Sequence, residues 1–253
     1  MAGLSSIAGQ VAIVTGGTAG IGLACAERFA AEGAKVAIIA RTADAGEAVA
    51  ARLCATGAEA IFIAGDCVSS EEMRNAAGII LDKWGQADIL VNCAGGFLTM
   101  PAIEDLDDET WRTVIDWNLT AKFLLTREIV PAMKRNGYGR LVNISSLAGR
   151  TGIAFAPADY SAATAAVLGL TRRLAVELAP FGITANVVAP GTVRSPRAER
   201  MGEERLNQIA KAVPVGRIGK TEEVAHGVWY LCTPGAAFTT GAVLDINGGM
   251  WTG

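Results

Sequence analysis

Histidine is almost missing from this sequence: His226 is the only one among 253 residues. The five cysteines (Cys25, Cys54, Cys67, Cys93 and Cys232) are scattered, with no Cys-x-x-Cys pair and no accompanying histidines. A zinc site, a Ser-His-Asp relay and a Cys-His relay all need residues that are scarce here, so no metal is expected. Charge is sparse at 19% of residues, and the net value of −3 offers no basic field for nucleic acid or an anionic membrane surface. Long apolar runs are lacking too. Val36–Ala40 is far too short to span a bilayer or to serve as the core of a signal peptide. These absences point to a cytoplasmic protein with free thiols. Proline is rare at eight residues, and neither a Pro/Ser-rich linker nor an internal repeat divides the chain.

What is present is apolar and glycine-rich: 51% hydrophobic residues and 30 glycines. Short β-branched runs alternate with longer alanine- and leucine-rich segments, the pattern of a parallel sheet covered by helices. The spacing predicts strands at Val11–Thr15, Lys35–Ala40, Ala60–Ala64, Ile89–Asn92, Gly139–Ile144, Ile183–Val188 and Val243–Ile246. It predicts helices over Gly20–Glu32, Ala43–Thr56, Ser70–Trp84, Asp108–Arg135, Tyr160–Ala179 and Glu222–Cys232. Ser69 followed by Glu72 reads as a capping box. Thr192–Lys220 is the longest stretch without clear structure. An insertion there would lie near the carboxyl ends of the strands, where ligands bind, so it is read as a mobile substrate lid. The expectation is an α/β fold: one Rossmann-like, doubly wound parallel sheet of about seven strands, with residues 1–253 as one domain.

The first strand runs directly into Thr15-Gly16-Gly17-Thr18-Ala19-Gly20-Ile21-Gly22 and then a helix. Glycines at 16, 20 and 22 let the backbone turn tightly and approach a pyrophosphate, and the helix N-terminus supplies partly positive N–H groups. A turn that needs glycine only for its own geometry would look the same; the placement between strand and helix favours the nucleotide.

The T-G-x-x-x-G-x-G spacing resembles the short-chain dehydrogenase/reductase family, and further motifs appear in that family's order across nearly the whole chain. Asp66, with Cys67 beside it, resembles the acid that contacts the adenine ring. Asn92-Cys93-Ala94-Gly95 resembles the N-N-A-G motif, with Cys93 in place of the second asparagine. Asn118 matches the helix asparagine of the proton relay, and Asn143-Ile144-Ser145-Ser146 the strand that ends in the catalytic serine. Pro190-Gly191-Thr192-Val193 is similar to the P-G segment beside the nicotinamide, and Asp245 to Gly249 to the C-terminal D-G-G stretch. The resemblance implies cofactor contacts at Gly16, Thr18, Gly20, Ile21, Gly22, Asp66, Cys67, Asn92, Ala94, Gly95, Tyr160, Pro190, Gly191 and Val193. At the end of the second strand Ala40 stands where NAD-using folds commonly carry an acid, and Arg41 follows. An arginine pairs well with a 2′-phosphate, so NADP(H) is preferred, with NAD(H) as the other possibility.

Tyr160 fits the family's acid/base tyrosine and Ser146 the serine that holds the substrate oxygen, with Gly149 completing S-x-x-G. The lysine expected four residues after the tyrosine is Thr164. A cation about 5 Å from a phenolate, at an effective dielectric near 20, stabilises it by roughly 3 kcal/mol, or about two pKa units. Without it tyrosine is a poor base near neutral pH but still an adequate acid. Three readings stay open. The chain is an impaired dehydrogenase/reductase, with Thr164 a weak stand-in at the catalytic position; or it is a working one that recruits Arg194 or Arg197; or it is a catalytically silent nucleotide-binding scaffold or sensor.

Gly96-Phe97-Leu98, Ile153-Ala154-Phe155 and the loop after Gly191 are candidate walls for a hydrophobic or cyclic carbonyl or alcohol substrate. Arg150, Arg194, Arg197 and Arg200 would instead suit an anion. The helices from Asp108 and from Tyr160 carry more apolar surface than one core-facing stripe needs, and the resemblance implies a homotetramer.

Overall fold

A computed structural model describes residues 3–253. Seven strands form one parallel sheet: β1 (Val11–Thr15), β2 (Lys35–Ala40), β3 (Ala60–Ala64), β4 (Ile89–Asn92), β5 (Gly139–Ile144), β6 (Ile183–Pro190) and, later in the chain, Val243–Ile246. The spatial order is β3-β2-β1-β4-β5-β6 followed by the Val243–Ile246 strand, and every pairing is parallel. The order reverses between β1 and β4. The carboxyl ends of those two strands therefore diverge into a crevice, the usual ligand position in an open α/β sheet.

Period-two alternation explains why strands this apolar are stable only when covered on both faces. Along β1, Ala12 and Val14 pack into one buried cluster with α1 (Gly20–Ala31), α2 (Ala43–Ala55) and the helix over Thr221–Cys232. Val11 and Ile13 pack into another with α3 (Ser70–Trp84), α5 (Ala121–Asn136) and α6 (Ala158–Leu178). All five residues of β1 are buried. No helix among the described residues is long and apolar enough to cross a membrane.

Three expectations need correction. The helix predicted from Asp108 to Arg135 is interrupted: α4 (Asp108–Ile115) gives way to a π turn at Asp116–Thr120 before α5 begins. Single π turns of this kind recur inside α-helices, frequently at functional sites. Thr192–Lys220 is not an unstructured lid. It holds β7 (Val193–Arg194), α7 (Pro196–Glu199), α8 (Glu203–Ala212) and β8 (Gly219–Lys220), with β7 and β8 paired in parallel. Ser195 caps α7 by accepting from the Ala198 N–H, and Leu206 with Ile209 gives α8 a buried i, i+3 pair. The last helix and strand, α9 (Thr221–Cys232) and β9 (Val243–Ile246), follow. Finally, Ser69 does cap α3, accepting from Glu72 N at 3.3 Å, but the Glu72 carboxylate takes the Asp66 N–H (2.8 Å) instead of returning to Ser69. The box is half closed, and its free arm braces the turn after β3.

Candidate active site

The crevice is built first from backbone. Gly16 has φ +66, and a Cβ there would press on the Ala94 backbone; a Cβ on Gly22 would stand 2.3 Å from the Gly16 carbonyl. The turn after β1, the start of α1 and the turn after β4 thus meet at separations that exclude side chains. Thr15 locks the junction: its Oγ1 accepts from both Cys93 N (2.9 Å) and Ala94 N (3.0 Å). The N-cap of α1 is Ala19, which offers no side-chain oxygen, and no acid stands in the first turn. By contrast α3, α4 and α7 each have a side-chain cap. A helix with neither cap nor acid at its N-terminus suits a diphosphate. These residues fit a dinucleotide.

The other predicted contacts fall around this cradle with three qualifications. Thr18, Gly20 and Ile21 stand half-buried in the turn, Asp66 is half-buried after β3, and Ala94 and Gly95 form the turn after β4. Arg41 is exposed at the end of β2, and its guanidinium carbon lies 5.5 Å from the Trp117 ring centre. Asn92 is the first qualification. It is 1% exposed, with its amide donating to Thr126 Oγ1 and Asn143 Oδ1, so it braces the crevice floor rather than lining it. Cys67 is the second: its thiol is buried and pushed up to about 11 by desolvation, leaving it a neutral packing group. Third, the Val193 side chain packs into the core, while Pro190 and Gly191 end β6 at the crevice, Gly191 held tight against Asn247.

At the reacting end, Tyr160 enters from the first turn of α6, and its ring centre stands 5.1 Å from that of Phe97. Ser146 sits on the turn after β5, where its Oγ accepts from the Ala148 N–H (3.1 Å), and its hydroxyl lies near that of Tyr160. Desolvation by burial raises the Tyr160 pKa above its ordinary value; the nearby Ser146 hydroxyl and the Arg197 charge pull the other way without overcoming it. Near neutrality Tyr160 is a phenol. Ser145, by contrast, donates to the Thr164 carbonyl (2.8 Å) and is structural.

Thr164 does not stand in for a lysine. It is 2% exposed, and its hydroxyl donates to the Tyr160 carbonyl (2.7 Å) one turn back, with the Ser161 carbonyl at 3.3 Å. A threonine in mid-helix commonly satisfies its hydroxyl this way. It therefore offers neither charge nor a free hydroxyl to the crevice. Asn118, on the π turn, spends both amide N–H groups on the carbonyls of Gly96 (2.7 Å) and Val114 (2.8 Å), and its oxygen accepts from Gly96 N (2.8 Å). Its side chain shapes the turn at Gly96 and keeps no N–H for a water.

Of the four loop arginines, Arg150 forms a two-bond pair with Asp245 (3.1 and 3.0 Å), and Arg194 pairs with Glu203 (2.8 Å). Carboxylates claim both. Arg197 instead reaches the crevice, donating to the Phe97 and Gly95 carbonyls. Sequence reasoning missed Thr15 and Lys122. Lys122 is 2% exposed, donates to the Ala94 carbonyl (2.9 Å), and has its pKa pulled down to about 8 by desolvation. Its signal was present: it follows Asn118 by one helical turn, the spacing that puts two side chains on the same face.

Residues 16–251 match a short-chain dehydrogenase family model described as enoyl-(acyl carrier protein) reductase. The short-chain reductase protein NovJ of Streptomyces niveus is 37% identical, covering 95% of this chain and 93% of that one. The 3-oxoacyl-[acyl-carrier-protein] reductase FabG of Escherichia coli K12 is 36% identical over 96% and 98%. A solved variant of the actinorhodin polyketide ketoreductase, with NADPH, superposes with a TM-score of 0.90 at 38% identity, covering 99% of each chain. The chain belongs to the short-chain dehydrogenase/reductase family of nicotinamide-dependent oxidoreductases.

Proposed function

We propose that this protein reduces a hydrophobic ketone to the secondary alcohol with NADPH, and that reduction is its effective direction at neutral pH. The observation that carries the direction is the state of Tyr160: a half-buried phenol beside Ser146, its pKa raised by desolvation, with no lysine to favour the phenolate. Bound NADPH supplies the hydride. Ser146 and Tyr160 hold the carbonyl oxygen, and Tyr160 delivers its proton there as negative charge develops. The phenolate left behind is reprotonated from solvent. In the reverse direction the same group must start as a phenolate, which burial makes scarce.

Arg41, exposed and free of a carboxylate partner among the described residues, is the residue we assign to the 2′-phosphate, in keeping with the NADPH in the related ketoreductase. Gly16, Gly20, Gly22 and the uncapped start of α1 take the diphosphate; Asp66, Ala94, Gly95, Pro190 and Gly191 complete the cleft. The ketoacyl and polyketide reductases among the relatives support a ketone as substrate. Phe97 beside Tyr160, with Leu98 at 54% and Met100 at 51% exposure next to it, offers an apolar entrance. We further propose that residues 1–253 act as one catalytic domain in a cytoplasmic homotetramer, with a small molecule rather than nucleic acid as partner. The exposed Trp111, Phe123 and Val176 of α4, α5 and α6 supply the apolar contact faces.

One observation favours a second reading, a silent nucleotide binder: the closed hydroxyl of Thr164. A screen of cyclic and acyl-chain ketones with NADPH separates the two. Turnover abolished by Tyr160→Phe supports the reductase; tight NADPH binding without turnover of any ketone supports the silent binder. Absence of NADPH and NADH binding at millimolar concentration would overturn both.

A further inference from the structure

We propose that Arg197, carried on the short helix above the crevice, supplies the positive charge that position 164 lacks, acting on Tyr160 as a positioning residue. The inference rests on Tyr160 being the proton donor.

The geometry is specific. The Arg197 guanidinium donates to the Phe97 carbonyl, approaches the Gly95 carbonyl at 3.5 Å and lies 4.8 Å from the centre of the Phe97 ring. That ring is the one packed on Tyr160 at 5.1 Å. Arg197, Phe97 and Tyr160 form a continuous row of contacts leading from the loop to the phenol, the two rings tilted by 59°. Its partners are neutral carbonyls and a π face, whereas Arg150 and Arg194 are held by carboxylates. The charge of Arg197 is therefore not cancelled locally.

Two features hold it there. Gly96, with φ +142, lies directly beneath the guanidinium, and any Cβ would land on it. Glycine at this position clears the space the arginine fills. Ser195 both caps α7 and stands against Gly20, in van der Waals range of a Cβ built there, so the loop carrying Arg197 docks on the glycine turn. The groups facing Tyr160 are few. Cys93 approaches from the turn after β4, Ser146 from the turn after β5 and Arg197 from α7; the Asp159 carboxylate accepts the Tyr160 backbone N–H (2.6 Å), and Arg200 stands near Arg197. Of these only Arg197 brings a positive charge close enough to oppose the upward shift of the phenol.

The test is the phenol titration of Tyr160, read as the ultraviolet difference between each protein and its Tyr160→Phe counterpart, which cancels the other two of the three tyrosines. Arg197 is exposed, so water screens its charge. An Arg197→Met change is expected to raise the Tyr160 midpoint by about one unit, with Arg197→Lys restoring most of it. Adding Thr164→Lys to Arg197→Met should bring the midpoint back to or below the parent value. For any alcohol the protein oxidises, the alkaline limb of the rate profile should move by the same amount, a tenfold loss at fixed pH. A midpoint unchanged in Arg197→Met overturns the proposal, as does a loss confined to KM for anionic substrates. The titration needs no turnover. A protein inactive on every ketone would sink the reductase reading while the Arg197 result still stood by itself.

Discussion

Replacing Thr164 with lysine tests the reaction chemistry most directly. The threonine hydroxyl donates to the Tyr160 carbonyl, so its removal loses one intrahelical side-chain bond, while lysine is the better helix former; these local effects nearly cancel. The new ammonium would have to run from a buried position on α6 toward the crevice, ending about 5 Å from the phenol oxygen. At an effective dielectric near 20 the attraction to a phenolate is roughly 3 kcal/mol, or about two pKa units. Alcohol oxidation with NADP+ depends on the phenolate fraction, so its rate at pH 8 should rise by about two orders of magnitude. Ketone reduction at pH 7 depends on the phenol, already present, and should change by no more than a few-fold. Initial rates in both directions from about pH 6 to 10.5, with NADPH dissociation constants for parent and variant, make the comparison. The reasoning fails if affinity is unchanged and the oxidative profile does not move. It also fails if both directions accelerate equally, since a lysine acting only by placing the cofactor would do that.

Other perturbations probe separate parts of the site. Ser146→Ala removes the hydroxyl beside Tyr160 and should lower kcat for reduction by about 10²–10³-fold with little change in NADPH affinity, measured by steady-state rates and fluorescence titration. Arg41→Glu should reverse the coenzyme preference, read as the ratio of NADPH to NADH dissociation constants; an unchanged ratio would remove Arg41 from the 2′-phosphate. Lys122→Met addresses a buried amine whose pKa is pulled down to about 8 from 10.5 in the unfolded chain. Between those values the unfolded state binds the extra proton, so parent stability should climb as pH rises from 8 to 10.5, and the variant should lose that slope in urea melts. Glu223, held down to about 2 by two bonds from Arg217 and one from the Lys220 N–H, works in the opposite window. Its contribution is complete above the ordinary 4.5 and fades as pH falls toward 2, so Glu223→Gln should destabilise the protein most above about 4.5, with the difference vanishing near pH 2. As both side chains are largely exposed, the effect should stay below about 1 kcal/mol.

The sheet was legible because parallel strands buried on both faces leave unbroken apolar runs; all seven strand starts were read correctly, and only the end of β6 ran two residues further, to Pro190. The π turn at Asp116–Thr120 was not legible. Helix propensity there is ordinary, and the cause is tertiary: the Asn118 amide reaching the Gly96 backbone. The Thr192–Lys220 segment hid its helices because they are short and stabilised by caps and pairings with distant residues. Residue types around the crevice were readable from motif order, but directions were not. Asn92 turning inward, Thr164 closing on its own helix and Arg197 parting from Arg150 and Arg194 depend on partners far apart in the chain.

Gly96 is gripped from two directions. Beneath it, Asn118 exchanges hydrogen bonds with both its N–H and its carbonyl; above it lies the Arg197 guanidinium. One peptide is thus shared by the π turn and the loop over the cleft. Any side chain at position 96 would therefore meet the guanidinium above, while the Asn118 bonds below fix how that peptide is turned.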